Sequence, residues 1–329
     1  MDYTAILHRI KSFIESLPKQ EPAKPLRLIV GLSGGPDSVF LLRSLKSLAA
    51  EQPLELIAAH LDHGWRDNSA DDVAFCSALC TALGIPFIHG HADTYKGQVL
   101  FNGSQEAYGR ALRRLFFDNS RALYQADFII LGHHQQDQHE TFFLRLLRGT
   151  SLDGLTCIKP HDRLYLRPLL SITKKQIVSF LEHHKIPYLT DPTNASTDHL
   201  RNSIRHNVIP ALVSCDQRFA QKLDDTIANL TAENEFITEC AEKAFGDIFR
   251  KDTEKGWIGE IKKFRALHPV LQKRILISWL TKEAVSFSPS RGYLEEIVRF
   301  LDSNRGGCHT IGPNVTIIKK GQLVWLAFL

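Results

Sequence analysis

An apolar run from Leu26 to Leu32 stops at Ser33-Gly34-Gly35-Pro36-Asp37-Ser38, and apolar residues resume at once in Val39-Phe40-Leu41-Leu42 with helical spacing. Strand, glycine turn and helix start in that order aim backbone N–H groups and a helix N-terminus at one point, a geometry suited to an anion. The two glycines let the backbone approach a phosphate closely. Ser33 and Ser38 add hydroxyl donors, and Asp37 can hold the Mg2+ that accompanies a triphosphate. The stretch lacks the Gly-Lys-Ser/Thr ending of the ordinary triphosphate loop. A Gly-Ser turn without a ligand accounts for Ser-Gly-Gly alone about equally well; the preceding strand and Asp37-Ser38 favour the phosphate.

The same alternation continues along the chain. Strand-like Leu54 to Leu61, Pro86 to His89, Asp127 to Leu131 and Leu164 to Leu169 are each followed by a helix-like segment: Ala70 to Leu83, Gln105 to Tyr124, Gln136 to Arg148 and Lys174 to Lys185. This pattern predicts an α/β fold, a parallel, doubly wound sheet covered on both faces, with ligands at the carboxyl ends of its strands. With 329 residues, two domains are expected. Residues 1–25 read as an amphipathic helix (Ile6, Leu7, Ile10, Phe13, Ile14, Leu17) and a proline-containing linker, and residues 26–209 as the nucleotide domain. In 210–329 the period lengthens (Phe219, Leu223, Ile227, Leu230; Leu271, Ile275, Trp279), which predicts a smaller, mainly helical domain ending in a small strand pair at Thr316-Ile317-Ile318 and Leu323-Val324-Trp325-Leu326. No apolar run is long enough to span a membrane, and an acidic, amphipathic start argues against a secretory leader and for the cytoplasm. Six scattered cysteines without a Cys-x-x-Cys pair read as reduced, mostly buried thiols. A net charge of +4 permits a polyanionic partner without demonstrating one.

Four further clusters carry chemistry-bearing side chains. His60-Leu61-Asp62-His63-Gly64-Trp65-Arg66 closes the second strand; by itself it reads as a histidine-rich loop. On the helix from Gln105, residues Glu106, Arg110 and Arg113 share a face, either as a solvated ladder of charges or as arginines directed at phosphates. Gly132-His133-His134-Gln135-Gln136-Asp137-Gln138-His139-Glu140 follows the fourth strand. Asp137 and Glu140 point the same way there, able to cap the helix, bind an ammonium group, coordinate Mg2+ or accept a proton from an amine. Finally Asp191-Pro192-Thr193-Asn194 precedes Arg201 and Arg205, an i,i+4 basic pair suited to a phosphate or a base edge.

Ser33 to Ser38 resembles the pyrophosphate loop of the N-type ATP pyrophosphatases. Taken in order with His60 to Arg66, the Glu-x-Tyr-x-Arg-x-x-Arg helix, the His-His segment, Leu146 to Gly149, Arg167 to Leu170, Asp191 to Asn194 and Arg201 to Arg205, it makes residues 24 to 212 resemble the tRNA(Ile)-lysidine synthetase family. That resemblance implies ATP-dependent joining of free L-lysine to C2 of the wobble cytidine of a tRNA(Ile) with a CAU anticodon, through an adenylated base. It implies ATP as substrate, Mg2+ on Asp37, pyrophosphate in the loop of Ser33, Gly34, Gly35, Pro36, Asp37 and Ser38, and adenosine beside His60. Arg110 and Arg113 would stabilise phosphate charge, Asp137 and Glu140 would bind and deprotonate lysine, and Arg205 would contact cytidine or its phosphate. Further tRNA contacts are expected from Arg201, from Lys262, Lys263, Lys273 and Arg274 with neighbouring Arg265, and from Lys174, Lys175 and Lys185. The oligomeric state is not legible, and a homodimer stays open. The family usually has two adjacent acids where this chain has Gln136 and Asp137, so no charge-dependent role is expected at 136.

Three rival readings remain at this stage. A tRNA thiolase of the same fold also adenylates a base oxygen, yet commonly uses paired cysteines. A small-molecule amidotransferase or synthetase would leave the later motifs unexplained. A non-catalytic RNA-binding adaptor is opposed by the intact loop and Asp137.

Overall fold

The computed structural model describes residues 3–18, 24–65, 69–99, 105–190, 200–287 and 290–328; Arg66 and Asp191 to Asn194 lie outside these, as does the Glu106 side chain. The chain divides into two compact units, Met1–Asp225 and Thr226–Leu329. The sequence reading put this division at 209/210.

The first unit is built on a six-stranded sheet in the order β3-β2-β1-β4-β6-β5. Its strands are β1 (Leu26–Gly31), β2 (Leu54–Asp62), β3 (Phe87–His91), β4 (Phe128–Ile130), β5 (His161–Asp162) and β6 (Tyr165–Leu166). All neighbours are parallel except β5, which runs antiparallel to β6. Strand alternation sends Leu28 and Val30 of β1 to one face and Ile29 to the other, and both faces are covered. On the first face lie α1 (Tyr3–Glu15), α2 (Pro36–Ala49), α3 (Ser69–Leu83) and α7 (Lys174–His183), through Ile10, Phe40, Cys80 and Leu181. On the second lies α4 (Gln105–Leu123), through Leu112, Phe116 and Phe117. The N-terminal helix, read from sequence as a preface to the domain, is thus part of its core: Ile6, Ile10 and Ile14 are buried in it.

Strand order reverses between β1 and β4. At such a switch point the connections leave in opposite directions and open a crevice at the carboxyl edge. The helix α5 (Gln135–Arg148) starts there, after β4, as α2 starts after β1.

The second unit holds most of the long helix α10 (Phe219–Ile248), then α11 (Ile261–Arg265), α12 (Pro269–Lys282) and α13 (Arg291–Asp302), around a core of Phe245, Phe264, Trp279 and Ile297. The strand pair expected near its end belongs to a five-stranded antiparallel sheet, β7-β8-β11-β10-β9, formed by β7 (Phe249–Asp252), β8 (Gly256–Glu260), β9 (Gly307–Gly312), β10 (Val315–Lys320) and β11 (Leu323–Phe328). The first two strands are short and β7 carries Arg250 and Lys251 side by side, so no apolar alternation marks them.

Within this unit Lys319 is 5% exposed. Its ammonium donates to the carbonyls of Phe300 (3.1 Å), Leu301 (3.0 Å) and Ser303, while Arg265 donates to Leu301 O (2.7 Å) and Ser303 O. Two cations therefore satisfy the orphan carbonyls ending α13 and oppose its dipole. Burial, with Arg265 nearby, lowers the Lys319 pKa. Replacing Lys319 by Met keeps the stem and removes its bonds to these acceptors, leaving Leu301 O and Ser303 O to Arg265 alone. We expect a loss of about 1–3 kcal/mol in urea unfolding, and an unchanged midpoint would show that the carbonyls are satisfied without it.

Candidate active site

The turn after β1 is braced by its own hydroxyls. Ser38 Oγ donates to Gly35 O (2.9 Å) and accepts from Ser33 N (3.1 Å), and it lies 3.2 Å from Ser33 Oγ. Gly34 sits at φ +79°, where a Cβ would be strained and would meet Leu189 Cδ1 at 2.5 Å. Leu189 N donates to Gly34 O at 2.9 Å. Pro36 occupies the first turn of α2, where its missing N–H leaves no bond unmade.

Three helices begin around this turn. Asp37 in the first turn of α2 is held by Lys174, the first residue of α7, whose ammonium donates to both carboxylate oxygens at 2.7 Å. His134 Nε2, just ahead of α5, lies 3.6 Å from Asp37 Oδ1. The Gln136 side chain accepts from Lys174 N at 2.8 Å. A neutral amide thus joins the starts of α5 and α7 at the position where an acid was expected. The close fit depends on Gly132, where a Cβ would stand 3.1 Å from the backbone carbonyl of Asp37. The sequence leads one to expect Lys174 among the tRNA contacts; its bond to Asp37 crosses 137 residues and has no local signal.

The acids of α5 are fully engaged. Glu140 is completely buried, with Arg201 Nε at 2.6 Å from Oε2 and Arg205 Nε at 2.6 Å from Oε1. Asp137 Oδ1 accepts from Arg201 (2.8 Å), and its Oδ2 accepts from His134 N (2.9 Å), closing the first turn. The two arginines come from α8 (Leu200–Ser203) and from the π-helical turn Ile204–Val208 that continues it. Burial alone would push the Asp137 carboxyl up. His134, Arg201 and His133, together with the backbone N–H of His134, outweigh that and hold it below the ordinary carboxylate range. Asp137 is therefore a fixed anion, a better ammonium acceptor than a proton abstractor.

The remaining expected residues divide. His60 is buried, its Nδ1 2.8 Å from Leu32 O, so the ring ties β2 to the end of β1; burial lowers its pKa. Arg110 and Arg113 line a cavity with His133 and Arg167, and Arg113 donates to His63 Nε2 at 3.0 Å. Burial and Arg113 lower the His63 pKa to about 4, and its ring stacks on Trp65 at 4.5 Å. In the second unit Lys263 pairs with Glu260 (2.8 Å), Lys273 with Glu295 (2.9 Å) and Arg274 with Asn234. Lys262 is exposed.

A doubly wound parallel sheet, with a Gly-Gly-Pro turn at a helix N-terminus beside its switch point, defines a nucleotide-binding α/β domain. The chain belongs to the PP-loop family, whose domain profile matches residues 3–212. It is similar to the tRNA(Ile)-lysidine synthase of Bacillus cereus, 30% identical over 284 residues that span 83% of this chain and 59% of that protein. To the Clostridium tetani protein of the same name it is 34% identical over 304 residues, covering 89% and 63%. The chain thus spans about three fifths of the length of these relatives. Among solved structures, a U34-tRNA thiolase of Methanococcus maripaludis superimposes with a TM-score of 0.58 at 18% identity, covering 69% of this chain and 78% of that one, which is a likeness of fold.

Two outcomes follow from the buried charges. Glu140→Gln leaves two guanidiniums facing a neutral amide, and we expect it to lower unfolding free energy by about 3 kcal/mol; urea denaturation checks this. His63 and His133 titrate near 4 when folded, burial being the main cause in each, and near 6.5 when unfolded. Below pH 6.5 the unfolded chain then binds more protons, so stability falls as pH falls from 6.5 towards 4. His133→Asn should flatten this slope by up to one proton, read from unfolding curves at successive pH values.

Proposed function

We propose that this chain joins free L-lysine to C2 of the wobble cytidine of a CAU-anticodon tRNA(Ile), consuming ATP and releasing AMP and pyrophosphate. The observation that carries the reading is the position of His134 between the phosphate turn and the acids of α5, 3.6 Å from Asp37 through Nε2 and 3.7 Å from Asp137 through Nδ1, so that a nucleotide site and an anionic site for a second, cationic substrate adjoin. The names of the similar proteins support it.

The C2 carbonyl oxygen is a poor leaving group, so two steps are needed. The oxygen first attacks the α-phosphate and expels pyrophosphate, for which the turn of Ser33 to Ser38 and the N-terminus of α2 offer N–H and hydroxyl donors. A magnesium ion arriving with ATP needs only one or two protein carboxylates. Asp37 fits that role, with Lys174 yielding its place; when bound, the ion would neutralise charge on the leaving pyrophosphate. The ε-amine of lysine then attacks C2 and AMP departs with the oxygen. Lysine's ammonium, with an ordinary pKa of about 10.4, would replace a guanidinium on Asp137 or Glu140. One proton must leave the ammonium first, to Glu140, to free the lone pair that attacks; once the N–C bond has formed the nitrogen is far more acidic and its second proton passes to solvent. Arg205, released from Glu140, is then available to the cytidine or its phosphate.

Lys262 and Lys263 offer salt-dependent contacts to the tRNA. Catalysis of this kind belongs in the cytoplasm, where tRNA and ATP are found, and among the described residues no helix is long and apolar enough to cross a membrane. Sulfur transfer through the buried thiols is disfavoured, because burial pushes Cys76, Cys80 and Cys157 up to about 12, 11 and 11 and leaves little thiolate at neutral pH; Cys215 and Cys308, against the expectation of mostly buried thiols, are exposed.

Radiolabelled lysine, ATP, Mg2+ and transcribed tRNA(Ile) with a CAU anticodon test the reading. Labelling of that RNA, and none of a wobble-uridine transcript, is expected; pyrophosphate release without labelling would assign a different second substrate. Asp37→Asn should lower pyrophosphate release at least a hundredfold.

A further inference from the structure

On the other side of Gly132, α4, α5 and the segment around β5 and β6 enclose a cavity of about 400 Å3. Gly132 turns to the start of α2, whereas its neighbours Leu131 and His133 line this cavity. Its walls carry six cationic side chains, Arg110, Arg113, Arg114, Arg145, Lys159 and Arg167, against the carboxylates of Asp153 and Asp162. Some of this charge is structural: Arg145 donates to Gly154 O (2.7 Å) and Cys157 O (3.1 Å), fastening the loop after α5. Some is left over. Arg167 donates through Nη1 to Lys159 O (2.8 Å), yet its Nε is buried without a hydrogen-bond partner among the described residues, as is His133 Nδ1. The guanidiniums of Arg114 and Arg167 lie 5.2 and 5.9 Å from the centre of the Tyr165 ring, which fixes both of them.

Like charges and unsatisfied donors gathered in a partly desolvated space are unfavourable unless an anion completes them. ATP has its own turn on the far side of Gly132, and cations drawn from separate elements suit an extended polyanion better than a compact one. We propose that this cavity is a second anion site, which receives a backbone phosphodiester of the single-stranded RNA beside the nucleotide that reacts. The proposal rests on the RNA-modifying reading above and adds a positioning role for Arg114 and Arg167. These two set the strand in register while the phosphate turn holds the nucleotide.

The test uses Arg114→Gln, whose side chain is largely exposed and whose loss is tolerable for folding, and Arg167→Gln as a second variant with its melting temperature recorded. The probes are an anticodon stem-loop RNA with a CAU loop, and ATP. We expect each variant to bind the RNA about tenfold more weakly, to lose about 0.7 from the slope of log K against log salt, and to keep wild-type ATP affinity. An RNA with one neutral methylphosphonate flanking the wobble position should weaken wild-type binding similarly and weaken Arg114→Gln no further. Weaker ATP binding with RNA affinity intact would assign the cavity to the nucleotide and overturn the proposal, as would no change in either. If the wild type transfers lysine while both variants keep full RNA affinity and slope, the cavity assignment fails alone. If no tRNA is labelled yet the variants lose RNA affinity, the lysine reading fails and the anion site stands.

Discussion

The turn after β4 lies close against the phosphate turn at residue 132, which has no side chain. Any Cβ there would press on the backbone of Asp37 and Ser38, which cannot give way as a flexible side chain can. From this approach the rest of the carboxyl edge follows. It brings the starts of α5 and α7 to the start of α2, lets Gln136 receive the N–H of Lys174, and sets His134 beside Asp37. The next residue, His133, then lines the arginine-rich cavity while feeling the charge of Asp137.

Each candidate functional acid is matched within the first unit. Lys174 answers Asp37, and Arg201 and Arg205 answer Glu140 and Asp137. A buried pair of this kind adds little net stability compared with an apolar replacement, while a half-pair is strongly unfavourable. Such an arrangement fits a site that must exchange partners: a cationic ligand can take over a carboxylate without leaving it bare. The pairing also makes Glu140 a structural residue, so substitutions there act on the fold as well as on any chemistry.

Legibility in the sequence followed the range of each interaction. The β1 turn, the strand and helix alternation and the i,i+3 pair at Asp137 and Glu140 are local, and their spacing alone displayed them. Arg110 and Arg113 were legible as one helix face, but the cavity they share with Arg145, Lys159 and Arg167 is assembled from separate elements and has no local pattern. The contact of Lys174 with Asp37 and the grip of Arg201 and Arg205 on Glu140 bridge 137, 61 and 65 positions, beyond any periodicity. His60, at a strand's end where ligand contacts are common, turned out to brace Leu32. In the second unit β7 and β8 escaped notice because charged and glycine positions interrupt them, while Lys263, Lys273 and Arg274 proved to be tied to their own neighbours.

The ammonium of Lys174 is a counter-ion that cannot diffuse away. Being tethered, it stands beside Asp37 at an effective concentration that on general grounds reaches the millimolar range, so a divalent ion alone meets a resident competitor. A nucleotide that presents its own phosphates to the released ammonium changes this balance, because Lys174 then trades one anionic partner for another. If Asp37 holds the ion as proposed, metal and nucleotide would load together, because the ammonium leaves the carboxylate most readily when phosphates are there to receive it.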